Sequence, residues 1–178
     1  WQEVVQVLER KGKVVQTAPE KIDVLMQVAG IWENQIGNKT EAAGVYLEIL
    51  ELDQAYMPAH EALEAIYRDT NDWTPLIELF LRQIDIFEDP AFKVAVSQKM
   101  AKVYEEHLGD LDGAFESLKY AFNIEYGNED TSRELERLAT AASQLGVDAD
   151  PARERSSDPF FSCLDDPTMR TRIVEHAR

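Results

Sequence analysis

Apolar residues recur at helical rather than strand spacing along most of this chain. Over residues 1–15, Val4, Val5, Leu8 and Val15 mark one helix face. A second helix follows Pro19 with Ile22, Leu25, Val28, Ala29 and Trp32, and ends near Gly37, a residue suited to a left-handed terminus. A third spans about 39–52, with Ala42, Val45, Tyr46, Ile49 and Leu50 on one face. A fourth starts near Pro58 and carries Ala62, Leu63, Ile66 and Tyr67. Asn71 and Asp72 then read as a turn whose aspartate caps the helix opened by Trp73. The same plan runs again to about Leu145, with no convincing strand alternation. The pattern predicts an all-α chain of about eight short helices.

The second half repeats the first at an offset of 72 residues, without a gap. Trp1 and Trp73, Arg10 and Arg82, Val24 and Val96, Ala29 and Ala101 stand at that offset. So do Glu33 and Glu105, Gly37 and Gly109, Ala42 and Ala114, and Leu63 and Leu135. Conservative pairs such as Val5 and Ile77, Leu8 and Phe80, and Trp32 and Tyr104 lie between the identities. The duplicated units are 1–72 and 73–144.

Each unit holds two helical hairpins of about 36 residues. In 21–53, Ala29, Trp32, Gly37, Ala42, Tyr46, Ile49 and Asp53 follow the order small, aromatic, glycine turn, alanine, aromatic, apolar, acidic end. The second copy gives Ala101, Tyr104, Gly109, Ala114, Leu118, Ala121 and Glu125. Leu63, Tyr67, Asp72-Trp73, Leu76 and Phe80 form a looser copy between them. Over about 1–146 the chain resembles the tetratricopeptide-repeat family, although the turn in the two good copies is one residue longer than the family pattern. The resemblance implies an α-solenoid of antiparallel hairpins, over 1–148, that curves into a superhelix. Small Ala29 and Ala42 let paired helices approach, and Trp32 and Tyr46 fill the space beside them. Residues 1–15 read as the second helix of a hairpin, so a longer parent protein is expected.

In this family the first helix of each hairpin lines a concave groove. Carried over by position, the groove comprises Asp23, Met26, Gly30, Glu33 and Asn34, then Glu61, Ala65, Arg68 and Asp69, then Gln98, Lys102, Glu105 and Glu106. Met26 and Gly30 stand where the family's clamp for acidic C-terminal peptides has lysine and asparagine, so that ligand class is excluded. The mostly acidic lining suits a basic or amphipathic protein segment.

Composition changes from about residue 149. The last thirty residues carry five arginines against six acids, whereas 1–148 carries 13 basic residues against 28 acids. Residues 149–164 read as a linker with an extended segment, and 165–178 as a short helix opened by Asp165-Asp166-Pro167. Phe160, Phe161, Met169 and Ile173 are candidate anchors of this tail on the repeat array, as an end cap or in the acidic groove. A second copy of the chain is a further occupant to consider.

The formal net charge of −16 disfavours phosphate backbones and anionic membranes, and no apolar run approaches 18 residues. Nucleic acid and membrane are therefore not expected as partners. His60, His107 and His176 show no metal-ligand spacing and are expected to be solvated or at helix ends. The segment 110–113 places its glycine too early for a calcium loop. Cys163 lacks a cationic neighbour, and the glycines are scattered at turns. Trp1, Trp32 and Trp73 recur at core positions and are expected to be buried. We expect no catalytic residues, no metal and no cofactor. The expected function is a protein–protein interaction scaffold, with a regulatory or substrate-docking domain of a larger enzyme as the alternative. A cytoplasmic setting is favoured for the fragment as given.

Overall fold

The computed structural model describes residues 1–144, with side chains through Ala141. The described residues form α1 (Gln2–Val14), α2 (Ala18–Ile31), α3 (Lys39–Leu52), α4 (Met57–Thr70), α5 (Trp73–Ile86), α6 (Pro90–Val103), α7 (Leu111–Ile124) and α8 (Glu129–Gln144). Two π turns, Trp32–Ile36 and Tyr104–Leu108, continue α2 and α6. Every start and stop of α2, its π turn and α3 recurs 72 residues later in α6, its π turn and α7. The segments expected over 149–164 and 165–178, with Phe160, Phe161, Met169 and Ile173, lie outside the described residues, as do Cys163 and His176.

The chain divides into two compact units, the first spanning Trp1–Phe87 and the second beginning at Glu88. In the first, successive helices pack as neighbours: α1 on α2, α2 on α3, α3 on α4 and α4 on α5. Val28, Ile49, Leu50, Leu63, Leu76 and Phe80 are buried there almost completely. In the second, α6 packs on α7 and α7 on α8. Its core joins Ala101, Ala114, Leu118, Phe122, Leu135 and Leu138, flanked by Tyr104 and Phe115.

Local chemistry sets the hairpins. Gly37 and Gly109 end the π turns at φ 76° and 65°, in the left-handed region that favours glycine. Their following residues close back, Asn38 N–H donating to Trp32 O and Asp110 N–H to Tyr104 O. Asn38 and Asp110 then cap the next helix, accepting from Glu41 N–H at 3.2 Å and Gly113 N–H at 2.9 Å. The residue by which these turns exceed the family pattern is thus wound into a π turn. Asn71 supplies the left-handed turn before α5 at φ 59°. Asp72 stands at the N-cap position of α5, as its place in the sequence suggested, but its carboxylate makes no capping hydrogen bond. Its carboxylate accepts the Thr70 hydroxyl at 2.7 Å instead.

Two burial expectations are corrected. Trp1 is 63% exposed, and Trp32 and Trp73 are only half-buried. His60 is fully buried rather than solvated. Its Nε2–H donates to Gln54 O at 2.9 Å, and its ring meets the edge of Phe87 at 5.7 Å. Its Nδ1 is buried without a hydrogen-bond partner. Protonation would place a charge there without solvent, so burial holds the imidazole below its ordinary value of 6.5, despite the supporting bond to Gln54.

The consequence is a pH dependence. Because the folded pKa is lowered, the unfolded chain takes up the proton first as pH falls through about 6.5. His60 then contributes a loss of stability that grows until the pH reaches its lower folded value, and none above pH 6.5. Urea unfolding at pH 7.5 and 5.5 is expected to show a larger drop for the wild type than for His60→Leu. Equal drops would count against a neutral buried imidazole.

Candidate partner-binding surface

In the first unit the proposed surface rests on α2, its π turn and α4. Asp23 on α2 and Glu61 on α4 are exposed, and Met26 is half-buried. Glu33 is half-buried and accepts the Tyr46 hydroxyl of α3 at 3.0 Å. Burial, aided by that carboxylate, pushes the Tyr46 hydroxyl up to about 12, so it stays a donor throughout the neutral range. Asn34 donates to Gly30 O at 3.1 Å within its own turn. Arg68 is held by Glu64 one turn earlier, at 3.0 Å, and lies 5.9 Å from the Phe80 ring centroid. Asp69 pairs with Lys39 at the start of α3. Asp23, Glu61 and Asp69 are thus the exposed acidic side chains here, Asp69 within its pair with Lys39.

In the second unit the corresponding residues are tied more heavily. Gln98 on α6 donates to the buried Thr131 hydroxyl of α8 at 2.9 Å, and Thr131 N–H is itself capped by Asn128 at 3.0 Å. Glu105 receives a bidentate pair from Arg137 of α8, at 2.7 and 2.6 Å. The same guanidinium reaches Glu134 at 2.8 Å. Its bonds hold the Glu105 carboxyl below the usual carboxylate range and raise Arg137 further. Lys102 and Glu106 remain exposed.

The duplicated positions thus serve different ends. Glu33 and Glu105 are equivalents, yet one binds a tyrosine of the next helix and the other an arginine 32 residues on. Arg137 escaped the sequence reading and Tyr46 was read only as a space-filling residue of the hairpin, and their own equivalents are Ala65 and Leu118. Comparing the copies hides a partner that only one of them has. Both glutamates stand on π turns, where a wider winding re-aims side chains relative to a regular first helix. Among the described residues, no group of three or more His, Cys, Asp or Glu is placed to hold a metal ion. No described helix is long and apolar enough to cross a membrane.

No family model and no curated protein matches the chain. Among solved structures, the crystal structure of MamA is similar over 97% of this chain and 81% of its own, at 14% identity and a TM-score of 0.50. A MamA RS-1 ArsTM double mutant is similar over 99% of this chain and 92% of its own, at 13% identity and a TM-score of 0.46. The likeness to the first concerns the fold. The chain has an all-α helical-repeat fold of the tetratricopeptide type.

Proposed function

We propose that this chain is a protein–protein interaction scaffold that takes a basic or amphipathic helical segment on the first helices of its hairpins. The observation that carries the reading is the pair of exposed carboxylates, Asp23 and Glu61, on successive first helices of the first unit. That unit holds 15 acidic residues against 7 Lys and Arg, so its field attracts cations. Met26, half-buried and three residues after Asp23 on the same helix, gives an adaptable apolar contact beside that charge. Glu33, Asp69 and Glu105 hold the framework, and within the second unit Glu106 is an exposed acid on the π turn after α6. Binding of this kind gains on-rate and selectivity from charge, and its affinity falls with salt.

The test is a calorimetric titration with a lysine-rich amphipathic helical peptide of about 20 residues, beside an acidic peptide of matched hydrophobicity. The basic peptide is expected to bind, and to lose about tenfold in affinity in Asp23→Lys/Glu61→Lys, about 1.4 kcal/mol. Equal binding of both peptides, or indifference to the double reversal, would sink the reading. Added tail peptide 149–178 is expected to compete for the same surface. Failure to compete would assign the tail elsewhere.

A further inference from the structure

The first helices and π turns of the two units carry equal numbers of acids but differ in what stands beside them. On α6, its π turn and α8 the acids are Glu105, Glu106, Glu129, Asp130, Glu134 and Glu136. Each has Lys102, Arg133 or Arg137 three or four positions away in the same helical run, the spacing at which opposite charges meet. Asp130 closes on Arg133 at 3.2 Å and Glu134 on Arg137 at 2.8 Å. On α2, its π turn and α4 the acids are Glu20, Asp23, Glu33, Glu61, Glu64 and Asp69. Only Glu64 has such a neighbour, Arg68. Glu20 takes the Thr17 hydroxyl, Glu33 the Tyr46 hydroxyl and Asp69 the Lys39 ammonium. Asp23 and Glu61 are exposed with no cation one turn away.

The offset of 72 identifies what replaces these groups. Asp23, Met26 and Glu61 correspond to Ala95, Gln98 and Arg133. Both carboxylates are gone, one of them exchanged for an exposed cation. The place of the adaptable methionine is taken by an amide already spent on Thr131. Lys99 and Lys102, both exposed, stand where the first unit has Gln27 and Gly30. Packing residues are kept at the same offset, including Ala29 and Ala101, Gly37 and Gly109, and Ala42 and Ala114. We infer that Asp23, Met26 and Glu61 confine a basic segment to α2 and α4, and that the duplicate surface of α6 and α8 rejects it. This rests on the proposed function, and adds where the segment sits and which three positions select it. The two copies share a framework, and only one of them carries the recognition chemistry.

The test moves the site within the 178-residue chain, using the same lysine-rich peptide and calorimetry. Ala95→Asp/Arg133→Glu, added to the weakened Asp23→Lys/Glu61→Lys variant, transfers both carboxylates to the second unit. Affinity is expected to return to within about threefold of the wild type. A control places the same added charge on α1, at the exposed positions of Gln6→Glu/Lys11→Glu, and is expected to restore less than about twofold. Circular dichroism checks that each variant keeps the wild-type helicity. Met26→Gln installs the residue of the duplicate without touching the second unit, and is expected to weaken binding about threefold. Affinity still about tenfold down in the transfer variant would overturn the inference and leave the proposed function standing. So would equal restoration by the α1 control, which would reduce recognition to net charge. An unchanged affinity in Met26→Gln would strike the methionine from the selecting set. A wild type that does not prefer the basic peptide, or that ignores Asp23→Lys/Glu61→Lys, would overturn the proposed function and this inference together.

Discussion

Replacing Phe80 by alanine is expected to lower the unfolding free energy by about 3–5 kcal/mol. The ring is fully buried on α5, and the Arg68 guanidinium of α4 lies over it. Its removal withdraws the largest apolar side chain in this part of the core and leaves a cavity, which the flanking helices can close only in part. The change also strips Arg68 of its aromatic partner while its bond to Glu64 remains. Urea unfolding followed by helical circular dichroism measures the effect. A loss below about 1 kcal/mol would mean that α5 repacks freely and that the hairpin is not a rigid unit.

The second large effect runs in opposite directions two residues apart. Ala42 is fully buried on α3, which packs against both α2 and α4. Ala42→Leu adds three carbons to a filled space and is expected to cost about 1–3 kcal/mol through displaced helices. Gly44 lies on the same helix, exposed, and a Cβ added there meets nothing within 4 Å. Gly44→Ala is expected to stabilise by about 0.5–1 kcal/mol, by restricting the unfolded chain and improving helix propensity. Paired urea titrations measure both, and a stability loss in Gly44→Ala would show that α3 is not a regular helix there. Gly113, the equivalent of Glu41, differs from Gly44, because a Cβ there would lie 2.8 Å from the Tyr104 ring.

The fold was largely legible in the residues. Helix spans, glycine-ended turns and the gap-free offset of 72 rest on interactions within a few positions of the chain. Apolar spacing selects the helix, Gly37 and Gly109 permit the left-handed step, and Asn38 and Asp110 hold the next helix start. The expectation for Asp72 failed at this same local level. The nearby Thr70 hydroxyl competes for its carboxylate, and nothing in capping preference ranks that competitor.

The candidate surface was legible in part. Its positions fall on the first helices and their π turns, but their availability to a partner does not follow from position. Glu33, Asp69, Gln98 and Glu105 are each held by another helix, while Asp23, Glu61, Lys102 and Glu106 face solvent. The sequence by itself determined the helices, their hairpin order and their duplication, since periodicity and capping act over one or two turns. Only the tertiary structure decided that Trp1 is exposed, that His60 is sealed without a partner for Nδ1, and that equivalent glutamates take a tyrosine and an arginine. Burial and ion pairing are properties of neighbours brought from elsewhere in the chain. Two segments with the same local code acquire different surroundings when different side chains are brought against them, as Tyr46 is against Glu33 and Arg137 against Glu105.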